Sequence, residues 1–184
     1  MLTVTPGPPH VDRYREYLLT HDDWLADRRH RRSLESQIGR PYLQYVVGDT
    51  AYSVSTIEHL YHLARLMRNT TAELPSSVIE LGGGFGNMAR LVQELAPRTT
   101  YIDIDYPETL AIAHLNLRLN FTDLPIVVHK AQVDSIVPGA VNLVPAWLAK
   151  DVRFQPDLFL STLALSETSD AMREVCARVA FFRM

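Results

Sequence analysis

The stretch Ser77-Val78-Ile79-Glu80-Leu81-Gly82-Gly83-Gly84-Phe85-Gly86 decides the fold of this chain. Its first half is a short apolar run typical of a buried strand, and the second half is a cluster of glycines. Residues 88–95 then have the apolar periodicity of a helix. The order predicts a strand, a tight turn and a helix. Such a turn lets the backbone come close to a ligand and directs free amide hydrogens towards it.

A second strand and helix follow this unit. Residues 100–104 form the next apolar run, Asp105-Tyr106-Pro107 is typical of a turn, and residues 108–119 have helical periodicity. Further downstream the sequence predicts strands at 126–128 and 157–162 and a helix at 169–181, while 136–148 fits either state. Strands that alternate with helices indicate an α/β fold with a parallel sheet and right-handed crossovers.

The N-terminal part has a different pattern. Residues 11–37 are helical and rich in charge, Gly48-Asp49 marks a hairpin turn, and Ser55 or Thr56 is placed to cap a helix that ends before Pro75. We therefore divide the chain into an N-terminal helical and hairpin extension, residues 1–74, and a second domain, residues 75–184.

Composition excludes several classes of protein. The 184 residues are 47% hydrophobic and 21% charged, which is ordinary for a folded globular chain. A net charge of -3 gives no general reason to expect nucleic acid or an anionic membrane as partner. Cys176 has no second cysteine to pair with, and no apolar run is long enough to span a bilayer. We expect a cytoplasmic protein.

Two cofactor classes use a glycine-rich strand-to-helix turn. The dinucleotide pattern has a third glycine three residues after the second, and counted from Gly84 that position is Asn87. The segment from Glu80 to Gly86 instead resembles the acidic-x-Gly-x-Gly-x-Gly first motif of class I S-adenosylmethionine-dependent methyltransferases, which have a Rossmann-like fold. The resemblance implies that the glycines pass beneath the methionyl part of the cofactor and that Glu80 orients that part near its amino group.

The same family has a carboxylate at the end of the second strand that binds both ribose hydroxyls. Asp105 follows Gly86 by 19 residues and stands at the turn, so the resemblance assigns this role to Asp105. Asp103 is the competing assignment, because alternation puts both side chains on one face of the strand. Asp105 is also a natural helix N-cap before Pro107. The predicted cofactor-binding residues are Glu80, Gly82, Gly83, Gly84, Gly86, Asp105 and Tyr106.

A narrower resemblance covers most of residues 37–168. The segments Asp103-Ile104-Asp105-Tyr106-Pro107-Glu108-Thr109-Leu110 and Asp157-Leu158-Phe159-Leu160-Ser161-Thr162 are similar to the sugar O-methyltransferase family. The resemblance implies methyl transfer to a sugar or a glycosylated small molecule. This chain has Ser161 where the family has Asn and Thr168 where it has Met, so active-site roles do not transfer directly to Ser161, Thr162 or Glu167.

Methyl transfer to a hydroxyl is an in-line displacement that needs a positioned acceptor and benefits from a base. Glu167 is the first choice of base, because it follows the fourth predicted strand at the edge where open α/β sheets bind ligands. His129 is the second, and Asp134 and His59 are further options. For each histidine, a partly exposed or hydrogen-bonded structural role is the favoured interpretation.

Two N-terminal features have both a functional and a structural interpretation. Arg28-Arg29-His30-Arg31-Arg32 is either an anion-binding patch or a solvated helix face, and the preceding aspartates favour the latter. Five aromatic side chains form either a lid over a sugar or the packing of the N-terminal helices. They are Tyr14, Tyr17, Trp24, Tyr42 and Tyr45.

Class I methyltransferases have seven strands, and the sequence after the fourth predicted strand has room for one helix. We therefore expect the C-terminal strands to be missing, or the exposed edge to be covered in a homo-oligomer. The alternative function is a truncated, catalytically silent Rossmann-like module that acts in binding or assembly. A nicotinamide-dependent oxidoreductase is the second rival, disfavoured by Asn87.

Overall fold

The computed structural model describes residues 9–21, 34–42, 45–70 and 73–178. The chain divides into two compact units, Met1–Leu74 and Pro75–Met184. Within the described ranges, no helix has the length and apolar character needed to cross a membrane.

The first unit contains two helices and a hairpin. Its elements are α1 (Pro9–Thr20), β1 (Tyr45–Val47), β2 (Thr50–Tyr52) and α2 (Val54–Asn69). The predicted hairpin is confirmed, since β1 and β2 pair antiparallel around Gly48, whose φ of 64° suits a tight turn. Helix α2 begins earlier than predicted, with Ser53 at the N-cap. The buried Glu35 carboxylate accepts the Ser53 amide and the Thr56 hydroxyl, so a distant acid caps this helix.

Aromatic rings in this unit pack against one another. Tyr14 stacks on Tyr61 with centroids 4.1 Å apart, and Tyr17 meets the same ring edge-on at 5.1 Å. Tyr45 is buried, whereas Tyr42 is exposed. Packing therefore accounts for three of the five aromatic residues proposed for a lid, namely Tyr14, Tyr17 and Tyr45. Trp24 and the basic run at 28–32 lie outside the described residues.

The second unit is built on a five-stranded parallel sheet with the order β5-β6-β4-β3-β7. Its elements are β3 (Ser77–Leu81), α3 (Asn87–Leu95), β4 (Thr100–Asp105), α4 (Pro107–Asn120), β5 (Ile126–Val128), β6 (Val141–Pro145), a 3-10 helix (Ala146–Asp151), β7 (Leu158–Leu160), α5 (Ala164–Glu167) and α6 (Asp170–Arg178). The order β6-β4-β3-β7 is the 3-2-1-4 arrangement of a doubly wound sheet. The predicted α/β, Rossmann-like fold is confirmed.

The sheet has two different faces. Ile79, Ile102 and Val144 point to one face and form an apolar core with the 3-10 helix and with Cys176 of α6. Glu80 and Asp103 point to the opposite face, because side chains alternate along each strand. Carboxylates in the middle of a sheet face require an unusual environment, since burial disfavours their charge.

The ambiguous segment 136–148 resolves into β6 and the start of the 3-10 helix. All five residues of β6 are buried, which explains why its sequence lacks the alternation of a half-exposed strand. Strand β6 lies between β5 and β4, so the strand predicted at 126–128 becomes the edge of the sheet. The short helix α5 was not predicted, because four residues are too few to show a helical period.

Candidate functional site

The glycine turn between β3 and α3 has backbone angles that residues with a side chain rarely adopt. Gly82, Gly84 and Gly86 have φ angles of 80°, 60° and 79°, in the left-handed region. A Cβ on Gly82 would overlap the side chain of Ala164, and one on Gly86 would lie 3.1 Å from the Ala113 Cβ. At Gly84 the space is open. The turn is therefore packed closely on α5 and α4 and open at its tip.

Amide hydrogens of this turn bind the protein's own carboxylates. Gly83 donates to Asp103 Oδ1 at 3.2 Å, and Gly84 donates to Asp105 Oδ2 at 2.9 Å. Asp105 Oδ1 accepts the amide of Tyr106 at 2.7 Å. The sequence predicted that such amides would point to a ligand, and here two of them are used internally. Asp105 therefore places negative charge beside the tip of the turn, and with two of its amides already used the turn is a poor site for a phosphate.

Three carboxylates lie in a row on this face of the sheet. Glu80 of β3 is the register partner of Asp103 of β4, and Asp105 lies two residues further along β4. Glu80 and Asp103 are 2% and 0% exposed, whereas Asp105 is partly exposed. Glu80 Oε2 accepts a hydrogen bond from the Tyr101 hydroxyl at 2.7 Å. The row therefore has two buried members behind the turn and one at the surface of the site.

Burial changes the acidity of this row. Desolvation raises the pKa of Glu80 to about 7, with the Asp105 charge adding to the rise and the Tyr101 hydrogen bond opposing it. Desolvation and the charges of Glu80 and Asp105 raise the pKa of Asp103 well above its usual range. Buried carboxyls of this kind retain protons at a pH where surface carboxyls have lost them. Among the described residues, no group of three or more His, Cys, Asp or Glu side chains is arranged to hold a metal ion.

The strand order reverses between β3 and β7, and open α/β sheets bind ligands in the crevice at such a point. Helix α5 follows β7 and lies against Gly82 through Ala164. Glu167 is the last residue of this helix and is exposed. The predicted base therefore lies on an element in direct contact with the glycine turn.

His129 lies at the other end of the site. It follows β5, and its Nε2 is 3.3 Å from the Asn142 Oδ1 in a buried pair. Four strand spacings of about 4.8 Å, or about 19 Å in total, separate β5 from β7. The structure thus does not bring His129 and Glu167 together. Of the other suggested bases, Asp134 is exposed in the loop before β6, and His59 belongs to α2 in the first unit.

A mainly apolar pocket of about 370 Å³ lies beside the ends of β4, β5 and β6. It is lined on one side by α4 through Pro107, Leu110, Ala111 and His114, and elsewhere by Val128, His129, Lys130, Pro145 and Trp147. Tyr106 precedes α4 and is 70% exposed. A flat apolar group of modest size could lie next to Asp105 in this space.

Sequence reasoning missed two contributors to the turn. Asn116 of α4 donates from Nδ2 to the carbonyl of Phe85 at 2.9 Å and so fixes the tip of the turn. Asp103 was considered only as a rival ribose ligand, whereas its carboxylate lies directly behind Gly83. The signal for Asp103 was present as a charged residue inside an otherwise apolar strand.

No protein-family model and no curated protein matches this chain. Among solved structures, the chain is similar to a protein-L-isoaspartate O-methyltransferase, with 17% sequence identity and a TM-score of 0.46. The match covers 83% of this chain and 47% of that chain, so this chain spans about half the length of that protein. A similarity of this size carries no information about what the chain binds or does.

Proposed function

We propose that this chain is the cofactor-binding part of an S-adenosylmethionine-dependent O-methyltransferase. One observation carries the proposal. The glycine turn is open at its tip, and two amides that a phosphate-binding turn would leave free, those of Gly83 and Gly84, donate to protein carboxylates. Negative charge at this point repels a dinucleotide pyrophosphate and attracts a cation. A sulfonium cofactor is such a cation, and its reactive methyl group is what it supplies to the reaction.

The residues of the turn fit this cofactor. Each oxygen of Asp105 accepts one backbone amide in the structure and has capacity for one more donor, which suits two neighbouring ribose hydroxyls. Glu80 lies behind the turn and would act on the amino group through its charge or through a water molecule. Tyr106 and the apolar pocket beside it suit the flat adenine ring.

We propose a sugar or a glycosylated small molecule as the acceptor, on the resemblance of residues 103–110 and 157–162 to the sugar O-methyltransferase family. The acceptor would enter the crevice between β3 and β7. There Glu167 would take the proton of the attacking hydroxyl as its oxygen approaches the methyl carbon. The single cysteine, Cys176, suits a reducing compartment, and we propose the cytoplasm.

Calorimetric titration with S-adenosylmethionine and S-adenosylhomocysteine tests the cofactor. Asp105→Ala removes up to two charged hydrogen bonds to the ribose, and one such bond is worth about 1.5–3 kcal/mol, so we expect binding at least about 10-fold weaker. The matched control is Asp123→Ala, which removes an exposed carboxylate from the loop after α4 and should bind as the wild type does. Competition by a nicotinamide dinucleotide, without competition by S-adenosylhomocysteine, would make the chain an oxidoreductase module. If the folded chain binds neither cofactor, it is a silent assembly module.

Turnover with a panel of free and glycosylated sugars tests the acceptor and the base. Loss of a general base reduces kcat by about 10²- to 10⁴-fold, so we expect this effect from Glu167→Gln with unchanged cofactor affinity. Equal turnover by Glu167→Gln would remove Glu167 from the mechanism. In that case His129→Gln is the next variant to measure.

A further inference from the structure

The buried carboxylates Glu80 and Asp103 have fewer hydrogen-bond donors than two negative charges require. Tyr101 donates to Glu80 Oε2, and Gly83 donates to Asp103 Oδ1 over a long 3.2 Å. Asp103 Oδ2 is fully buried and has no hydrogen-bond partner. An ionised carboxylate has four acceptor positions, and an unpaired charge in a protein interior is strongly unfavourable. The pair is therefore built to hold a proton.

Among the described residues, the charged groups that act on Asp103 are both carboxylates. The register neighbours of Asp103 are Glu80 on β3 and the apolar Leu143 on β6. Glu80 and Asp105 act on its charge, and both raise its pKa. The ionisable side chains of the two helices on this face are Arg90 and Glu94 on α3 and Glu108, His114 and Arg118 on α4. Arg90 donates from Nε to Asn87, Arg118 donates to the Leu124 carbonyl, Glu108 is exposed and His114 lines the pocket.

The glycine turn lies between this buried pair and the open surface on which we propose that the cofactor binds. A Cβ on Gly83 would lie only 2.5–2.7 Å from the carboxylate atoms of Asp103, so a single backbone segment separates the pair from a molecule lying on the turn. Charges on the two sides of one backbone segment interact more strongly than they would in bulk water, because the protein interior screens them less. A cation on the turn would therefore stabilise the second negative charge behind it.

We propose that Glu80 and Asp103 share a proton in the ligand-free protein and release it to solvent when the cationic sulfonium cofactor binds. This inference rests on the proposed function. S-adenosylhomocysteine has lost the sulfonium charge and cannot drive the release to the same extent. Asp103 is thus a positioning residue that makes the turn prefer the methyl donor over the demethylated product, increasingly so as the pH rises.

Calorimetry in two buffers of different ionisation enthalpy measures the protons exchanged on binding. In the pH range around 7, where Glu80 titrates, we expect S-adenosylmethionine to release up to about one proton and to bind up to about tenfold more tightly per pH unit. S-adenosylhomocysteine should release fewer protons. The double variant Glu80→Gln with Asp103→Asn keeps the acceptors for Tyr101 and Gly83 but leaves no titrating carboxyl in the pair, so it should bind the cofactor without proton release and with about tenfold less preference for the donor. Asp123→Asn is the control and should match the wild type.

Infrared spectroscopy gives a second measurement that needs no turnover. The carbonyl band of a protonated buried carboxyl should be present in the free protein, disappear when S-adenosylmethionine is added, and be absent from the double variant. If that variant does not fold, the test is whether the carbonyl band of the wild type disappears when the cofactor is added and whether Glu80→Gln alters that band. Binding of S-adenosylmethionine with no proton exchange in this pH range overturns the inference and leaves the proposed function intact. No binding at all overturns both.

Discussion

Replacing Gly83 by alanine tests whether the Asp103 carboxylate shapes the glycine turn. The new Cβ would lie 2.5, 2.6 and 2.7 Å from Oδ1, Cγ and Oδ2 of Asp103, closer than van der Waals contact allows. Overpacking of a tightly packed interior costs about 1–3 kcal/mol. Gly83 has no left-handed φ in this structure, so the alanine itself is compatible with the backbone. The predicted loss of stability therefore comes from the contact with Asp103, which supplies the three nearest atoms.

A double-mutant cycle isolates that contact. In an Asp103→Ala background the clashing atoms are gone, and Gly83→Ala should be neutral or stabilise by about 0.4–1 kcal/mol through the unfolded state. The coupling between the two changes is then about 1–4 kcal/mol, measured as the free energy of unfolding in urea. Gly84→Ala is the control. It meets open space but has a φ of 60°, so it should cost about 1–2 kcal/mol in both backgrounds.

Additive effects of Gly83→Ala and Asp103→Ala, within about 0.5 kcal/mol, would refute this account of the turn. The Asp103 carboxylate would then be able to move away from a side chain at position 83, and its position behind Gly83 would not affect the stability of the turn. Coupling at Gly84 as large as at Gly83 would also contradict it, because the effect would then be a general loosening of the turn.

Three further predictions concern stability. Because folding raises the pKa of Glu80, its stabilising contribution is complete below the unfolded pKa of about 4.3 and is lost as the pH rises to about 7. Glu80→Gln still accepts the Tyr101 hydrogen bond and should reduce the dependence of the free energy of unfolding on pH, measured by urea titration. An unchanged pH dependence would exclude Glu80 as its source. Asp157 has the opposite effect on the pH dependence of stability, because hydrogen bonds from the Ser76 and Ser77 hydroxyls lower its pKa. Its stabilising contribution is therefore lost as the pH falls through the folded pKa. Asp157→Asn should unfold less sensitively to acid, and equal acid midpoints for the variant and the wild type would contradict this. The fully buried Asn142 forms hydrogen bonds with several backbone groups of the loop before β6. Each group left unsatisfied in Asn142→Leu costs about 1–3 kcal/mol, so this variant should have a lower thermal midpoint. A midpoint equal to that of the wild type would show that water replaces the Asn142 side chain.

Local patterns predicted the centre of the second unit well. The strand at 77–81 and the strand at 126–128 have the observed bounds, because short apolar runs between turn residues are unambiguous. Strand β6 was hidden, because a fully buried strand and a buried helix segment look alike in sequence. Helix α5 depends on tertiary packing against Gly82 rather than on its own four residues.

The candidate site shows the same division. The glycine spacing and the position of Asp105 at the end of the next strand correctly predicted that the turn and Asp105 lie together, because both positions are set by the local strand-turn-helix pattern. The internal use of the Gly83 and Gly84 amides could not be predicted, because it depends on the register between β3 and β4. The separation of His129 from Glu167 likewise depends on the order of strands, which no local pattern encodes.

The loop between β5 and β6 has a practical consequence for engineering. Residues 129–140 join two parallel neighbouring strands without a helix, and Asn142 ties the second half of the loop down at Val137 and Ala140. Lys130, Ala131 and Gln132 are exposed and precede these anchor points. A fluorescent or affinity tag inserted at 130–132 should leave the sheet intact, since lengthening a surface loop changes closure entropy only slowly. The same tag placed at 137–140 would pull the anchor from the sheet, so the two positions form a matched pair for labelling this protein.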